Sequence, residues 1–440
     1  MKDRPIASIF CLTYNHEKYI RDALEGFLMQ RTDFSFEIIV HDDASTDRTP
    51  FILKEYEEKN PDLIHVIYQK ENQYSKFKYP SQFVFSMMRN LVRGKYIASC
   101  EGDDYWIDEN KLQMQIDYME NHPDCVMTGH DSWRINCHTG KKDRFRPFPK
   151  EMDIPAEQFI GGTGDIATLT LVYRSEMLDM DDFFFNTKVG DDPLKLYCFT
   201  KGNIHYFNRP MSVYRYLSKA DSWSSTQMNN LNSCLSFEAN QYVLLKKYNE
   251  YTNGIYIEPV KNYINKRLRV LFEKLVRLSE NDFYSLCQSC EAESDYEEEQ
   301  QYYIEITNLY RQYTDQTYLC HGVREFIKKC KYIFIYGAGV YGKLMEKQLR
   351  NNNIEFDGFV VSDNQKSEEI NEGKKVWRFS ELQLKKNETG MVLAVGANLV
   401  TEILTVLQNS AIENYICPFS IDCSEWLESN EVRNLGIRSL

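Results

Sequence analysis

Short apolar runs at residues 6–12, 37–40, 64–68 and 96–100 alternate with stretches at 17–29, 50–59 and 111–121, where apolar residues recur every three or four positions. The runs fit buried strands and the three-four spacing fits helices with one buried face. This strand-helix alternation predicts a parallel α/β sheet with right-handed crossovers from the start of the chain to about residue 222. From about 223 to 328 the helical period continues without clear strands, and Ile264, Leu268, Leu271, Leu275 and Leu278 form one apolar seam. The α/β rhythm then restarts, with strands expected at 332–336, 356–361 and 391–395 and helices at 340–351 and 399–408. The pattern divides the chain into an α/β domain at 1–222, a helical connector at 223–328 and a smaller α/β domain at 329–440.

Composition narrows the class. The 440 residues, 42% hydrophobic and 27% charged, suit two or three globular domains at roughly 150 residues each. A net charge of -13 argues against a nucleic-acid grip, which needs many cationic phosphate contacts. The acidity is local: residues 281–306 carry eight Asp or Glu and no Lys or Arg, which reads as a solvated helix face or a partner for the basic helix before it. The seam is flanked by Lys261, Lys266, Arg267, Arg269, Lys274 and Arg277, so it either packs on neighbouring helices or rests on an anionic membrane. Twelve scattered cysteines, of which only Cys287 and Cys290 form a CxxC, fit reduced cytoplasmic thiols. Residues 1–5 run straight into the first strand and do not resemble a secretion signal, and no apolar run reaches the roughly 18 residues of a membrane helix. The expectation is a cytoplasmic protein, soluble or peripheral at the inner face of the membrane, with oligomeric state left open.

Candidate chemistry lies at strand ends. The run Ile38-Ile39-Val40-His41-Asp42-Asp43-Ala44-Ser45-Thr46-Asp47 puts two carboxylates at the C-terminal end of a buried strand, the edge where open α/β sheets bind ligands. Capping of the next helix accounts for Ser45 to Asp47 but not for Asp42 and Asp43. The strand at 96–100 delivers Glu101-Gly102-Asp103-Asp104-Tyr105-Trp106, and three carboxylates within four residues repel unless a cation or donors compensate. A hard divalent metal, Mn²⁺ or Mg²⁺, suits such oxygens. A third acidic turn, Gly190-Asp191-Asp192-Pro193, has Asp192 as the expected N-cap before Pro193 at the first helical position.

Thr13-Tyr14-Asn15 after the first strand, His41 to Asp47, and Glu101-Gly102-Asp103-Asp104 resemble family 2 glycosyltransferases of the GT-A fold, over roughly residues 6 to 224. The resemblance implies an inverting transferase moving a sugar from a nucleotide diphosphate sugar, usually UDP-linked, to a saccharide or polyprenyl-linked acceptor in bacterial surface polysaccharide synthesis. It implies that Leu12, Thr13, Tyr14, Asp42 and Asp43 hold the nucleoside, and that Glu101, Gly102, Asp103 and Asp104 meet the diphosphate. In the family's DxD position, Asp103 and Glu101 would contact the metal, although Glu101 stands where Asp is commoner. Asp191 matches the family's catalytic base. Tyr214-Arg215 and Ser222-Trp223-Ser224 resemble a segment of capsule-type members, with Leu217 where many carry His. Trp106 and Trp223 either stack on sugars or pack in the core. Lys76, Lys78 and Arg93 are cations placed to reach a diphosphate or to remain on the surface.

In the third region, Tyr336-Gly337-Ala338-Gly339-Val340-Tyr341-Gly342 is a GxGxxG between a strand and a helix, and Asp363 ends the next strand. The segment resembles the small Rossmann-like domains attached to bacterial sugar-modifying enzymes. It binds NAD or a nucleotide there, or kept the turn as an assembly scaffold; no tightly held organic cofactor is expected elsewhere. Two competing readings remain: a non-catalytic nucleotide-sugar or carbohydrate-binding protein, and a nicotinamide-dependent sugar oxidoreductase acting through this domain.

Overall fold

The computed structural model describes residues 4–418 apart from 146–147, 163, 189, 219–229, 293, 295–296, 317–318, 320, 364–369, 372, 383–387, 396, 411 and 413. The chain forms two compact units, residues 1–263 and 264–440. In chain order the first contains β1 (Ala7–Thr13), α1 (Ile20–Leu28), β2 (Phe36–Asp42), α2 (Thr49–Lys59), β3 (Ile64–Tyr68), α3 (Pro80–Leu91), β4 (Tyr96–Ser99), β5 (Tyr105–Trp106) and α4 (Lys111–Asn121). There follow β6 (Cys125–Asn136), β7 (Lys142–Arg144), β8 (Met152–Asp153), α5 (Ala156–Ile160), β9 (Val172–Arg174), α6 (Asp191–Phe199), β10 (Asn203–Tyr216) and α7 (Leu231–Tyr251).

The sheet order is β3-β2-β1-β4-β9-β6-β10-β5, with β7 on β6 and β8 on β10. Strands β1 to β4 are parallel to their neighbours among themselves, as the alternation predicted. The sheet as a whole is mixed, because β9 runs antiparallel to both β4 and β6, and β5 antiparallel to β10. The long strands β6 and β10 pair in parallel and were not legible as apolar runs, since β6 buries His130, Asp131 and Ser132. On β10 the register shifts around Pro210, which has no N–H to give to a ladder. Ile9, Cys11, Ile38, Val40 and Ala98 from the parallel half pack with Leu24, Phe27, Leu53 and Trp106 in one core. Burying both faces is what makes these strands read as continuous hydrophobic runs.

Four helices, α8 (Ile257–Leu275), α9 (Glu280–Ala292), α10 (Glu297–Thr314) and α11 (His321–Ile327), precede the second sheet. Ile264, Leu268, Leu271 and Leu275 of the seam are buried, so packing explains it and the seam is not a membrane-resting face. No helix among the described residues is long and apolar enough to cross a membrane. Cys287 and Cys290 are buried on α9, and burial pushes the Cys287 thiol up to about 12, far from a metal-ready thiolate. The second sheet comprises β11 (Tyr332–Tyr336), β12 (Gly358–Val361), β13 (Ile370–Asn371), β14 (Lys374–Arg378), β15 (Thr389–Leu393) and β16 (Tyr415–Ile416), with α12 (Val340–Asn351) and α13 (Ala397–Asn409) between strands. Its order is β13-β14-β12-β11-β15-β16, parallel throughout except for the β13–β14 hairpin.

Candidate active site

The carboxyl ends of β1, β2 and β4 are laced together by backbone bonds. Asp43 N–H donates to the Thr13 carbonyl (3.0 Å), Gly102 N–H to the Leu12 carbonyl (2.8 Å) and Cys100 N–H to the Phe10 carbonyl (3.1 Å). Beyond the strands the chain reverses at Asn15 (φ 54°) and Ala44 (φ 62°), a left-handed conformation that Asn tolerates and Ala adopts only under local strain. That reversal lets Asn15 N–H reach Ser45 Oγ (2.8 Å), Glu17 N–H reach Asp47 Oδ2 (3.0 Å) and Thr46 N–H reach Asn15 Oδ1 (2.8 Å). Asp47 also accepts Thr49 N–H (2.9 Å) at the start of α2, so the polar run caps the helix and joins two loops.

The two aspartates after β2 have separate tasks. Asp42 is buried and accepts the Ser45 hydroxyl, and burial pushes its pKa up. Asp43 accepts the N–H groups of Gln73 (2.7 Å) and Tyr74 (2.9 Å), so its carboxylate shapes the loop after β3. Leu12, Thr13 and Tyr14 lie at the same edge, with Thr13 buried.

The acidic turn approaches β1 so closely that a Cβ on Gly102 would stand 2.7 Å from Thr13 Oγ1 and 2.9 Å from Thr13 Cβ. Burial, then the charges of Asp103 and Asp191, push the Glu101 carboxyl up to about 7. Asp104 is buried and accepts Arg215 N–H (2.7 Å), while burial and then Asp103 hold its pKa well above the carboxylate range. Asp103 is partly exposed; its Oδ2 accepts the Ser218 hydroxyl (2.8 Å) and lies 3.9 Å from His16 Nε2. The Arg215 guanidinium donates to the Asp103 carbonyl (2.8 Å), pairs with Asp22 and lies between the rings of Tyr19 (4.9 Å) and Tyr105 (4.3 Å). Leu217, where a His stands in many capsule-type members, has φ 58° and brings no ligand. All-oxygen donors, mutual repulsion that pushes Glu101 toward its protonated form and a partly open Asp103 fit a hard divalent cation. Among the described residues no cluster of three or more His, Cys, Asp or Glu has the arrangement of a metal site, so one or two carboxylates would hold the ion with substrate and water.

Asp191 opens α6, with Gly190 as N-cap. The expected cap is thus displaced by two residues, from Asp192 to Gly190: Asp192 is the second helical residue and Pro193 the third, because the helix begins at Asp191 itself. Asp191 Oδ2 accepts Thr168 Oγ1 (3.0 Å) and Lys195 Nζ (2.9 Å). Lys195 Nζ also donates to Asp165 Oδ1 (2.8 Å) and lies 3.7 Å from Asp192. Burial pulls the Asp191 pKa upward, but the Lys195 charge, its hydrogen bond and Thr168 outweigh it, so the carboxylate lies below its ordinary value. Lys195, Thr168 and Asp165 were not singled out from sequence. Their signal is the Asp-to-Lys spacing of four, which has meaning only once the helix start is fixed.

Trp106 does not face a sugar. It is 2% exposed, its Nε1 donates to the Leu169 carbonyl (2.9 Å) and its ring packs edge-on to Phe27 (4.9 Å), so core packing is its role. Trp223 lies outside the described residues. Arg93 is engaged on Glu37 and Lys76 on Glu71 (2.6 Å), while Lys78 lies over the Tyr79 ring (5.7 Å), so these cations are committed locally.

The family model described as "Glycosyl transferase family 2" matches residues 8–177. Over those residues the chain is similar to family 2 glycosyltransferases. The match takes in the ends of β1, β2 and β4 and the acidic turn, whereas Asp191 and Lys195 lie beyond it, as does Arg215. Uncharacterized protein Rv1520 of Mycobacterium tuberculosis is 36% identical over 211 residues, 47% of this chain and 58% of that protein. The chain therefore spans a little over half the length of that relative. Similarity also extends to the Escherichia coli UDP-Glc:alpha-D-GlcNAc-diphosphoundecaprenol beta-1,3-glucosyltransferase WfgD, at 27% identity over 230 residues, 52% of this chain and 83% of that one. Among solved structures, residues 1–349 of S. aureus TarS align at a TM-score of 0.45 and 17% identity over 78% of this chain and 88% of that one.

The second unit contains the glycine turn. Gly337 has φ 112°, and a Cβ there would stand 2.5 Å from the Ala394 carbonyl, while one on Gly342 would stand 2.0 Å from the Gly337 carbonyl. Of the three glycines of the turn, Gly339 alone faces open space. Two of the three glycines are thus explained by packing alone. Asp363 accepts Ser380 N–H (2.9 Å) and its carbonyl accepts Arg378, so it braces β14.

Proposed function

We propose that this protein is an inverting glycosyltransferase that moves a sugar from a UDP-sugar to a saccharide or undecaprenyl-linked saccharide acceptor in surface polysaccharide biosynthesis. The feature that supports the reading is the acidic turn Glu101 to Asp104, packed against Thr13 at the end of β1 and inside the family match, with Asp191 at the start of α6 adding a charge that raises the Glu101 pKa. The family match and the likeness to WfgD support the donor and acceptor classes. In this reading residues 1–222 are the transferase domain, 223–328 a connector and 329–440 a Rossmann-like domain.

The backbone at Leu12 to Tyr14 and the Asp43-braced loop form the nucleoside side of the site. Asp103 and Glu101 would hold Mn²⁺ or Mg²⁺. When bound, the cation supplies charge neutralisation for the departing diphosphate. Asp191, ionised at neutral pH, takes the proton of the acceptor hydroxyl as the oxygen bonds to the anomeric carbon and the bond to the diphosphate breaks. Displacement from the opposite face inverts the configuration. Arg215, wedged between Tyr19 and Tyr105, fixes the acidic turn through the Asp103 carbonyl and Asp104.

The test is a panel of UDP-, GDP- and dTDP-sugars with saccharide and undecaprenyl-linked acceptors, read by nucleotide release. Release from a UDP-sugar is expected only with added Mn²⁺ or Mg²⁺, is lost in EDTA, and falls at least about 100-fold in Asp103→Ala, as loss of several kcal/mol of charge stabilisation requires. No release from any donor would favour the binding-protein reading. Calorimetric titration with NAD addresses the second unit; absence of NAD binding removes the oxidoreductase reading.

A further inference from the structure

We propose that Lys195 and Thr168 are positioning residues that clamp Oδ2 of Asp191 and leave Oδ1 as the oxygen that receives the acceptor proton; this rests on the assignment of Asp191 as base. Both hydrogen bonds to the carboxylate end on Oδ2, at 3.0 Å from Thr168 Oγ1 and 2.9 Å from Lys195 Nζ. Two donors of different direction on one oxygen fix the carboxyl plane, and Oδ1 carries neither bond.

The lysine is 1% exposed and is held where a cation survives only with partners. It has three, Asp165, Asp191 and Asp192, and the first two are within 2.9 Å. Asp191 and Lys195 are one helical turn apart with the acid N-terminal, the favourable order for an ion pair. Thr168 and Asp165 come from the segment before β9, so the clamp spans two separate stretches of chain.

The charged and titratable groups that face Asp191 are Lys195 and Asp192 on its own helix, Asp165 before β9, Glu101 on the acidic turn, Tyr74 after β3 and Tyr214 on β10. Burial opposes its ionisation, and Lys195 is the cation that reverses the balance. Asp165 shares that cation and keeps it from depressing Asp191 further, so the base stays ionised without becoming too weak to take a proton. In the reaction the acceptor proton moves to Oδ1, the C–O bond forms at the anomeric carbon and the diphosphate leaves with its bonding pair.

This arrangement predicts shifts of opposite sign. In full-length protein with ¹³C-carboxyl-labelled aspartate, the Asp191 signal, assigned by its loss in Asp191→Asn, is expected to titrate at least about one pH unit higher in Lys195→Met, as removal of an adjacent opposite charge requires. It is expected to stay near its original position in Lys195→Arg and to fall in Asp165→Asn. The acid limb of kcat/KM for nucleotide release should move in the same directions, with donor KM changed less than about threefold, since positioning of a base alters the chemical step rather than uniform binding. An unchanged Asp191 midpoint in both Lys195→Met and Asp165→Asn overturns the clamp. If Lys195→Met does not fold, Asp165→Asn alone decides by the direction of its shift. Inactive Asp191→Asn combined with unmoved midpoints sinks the clamp but keeps the base, whereas full turnover in Asp191→Asn sinks the base assignment itself.

Discussion

Gly102 lies between two carboxylates because nothing larger fits: its missing Cβ would meet Thr13 at 2.7 to 2.9 Å. Gly102→Ala is expected to push the acidic turn off β1, lowering stability by about 1–3 kcal/mol and sugar transfer by about 100-fold, the order expected for a reacting group misplaced by about 1 Å. Thermal melts and nucleotide-release kinetics check both, and unchanged kinetics would show that the turn's position does not matter. At this scale the acidic residues themselves were legible, because Asp42, Asp43, Glu101, Asp103 and Asp104 each follow an apolar strand. Their division of labour was not. Asp43 proved to brace a loop through Gln73 and Tyr74, and Trp106 proved to be core, because partners separated by thirty or more residues leave no local pattern.

Among elements, α4 shows how the sheet spends polar residues inside. Its buried face carries Lys111 and, one turn on, Gln115, whose Nε2 donates to Thr128 Oγ1 (3.1 Å) on β6 and to the Thr170 carbonyl (2.9 Å). Lys111 Nζ lies 4.0 Å over the Trp106 ring, and burial lowers its pKa to about 7. An unfolded lysine titrates near 10.4. Between about pH 7 and 10 the unfolded chain therefore binds a proton that the folded chain does not, and this group makes stability rise with pH through that window. Below about 7 both states are protonated and its contribution is flat. Lys111→Met should be more stable than the parent at pH 7 and lose that rise, as urea midpoints at pH 7 and 9 would show; an identical rise in the variant would contradict it. The same buried polarity hid β6 from the sequence. Strands β1 to β4 announce themselves by apolar runs, whereas His130, Asp131 and Ser132 interrupt β6 and the shifted register around Pro210 interrupts β10. The antiparallel β9, only three residues long, had no period to read.

At the scale of the whole molecule, the alternation of strands and helices located both sheets, and the boundary between the compact units falls between residues 263 and 264, inside α8. The family match covers β1 to β9, while the proposed base lies on α6, beyond it. A carboxylate outside the matched residues, Asp191, is thus proposed to complete the chemistry of those inside. The most direct measurement is the steady-state rate of sugar transfer from the accepted UDP-sugar at saturating donor, comparing the parent with Asp191→Asn. The donor KM is expected within about threefold of the parent and kcat lower by about 100-fold to 10,000-fold, the range of a lost general base. A kcat equal to that of the parent would contradict it.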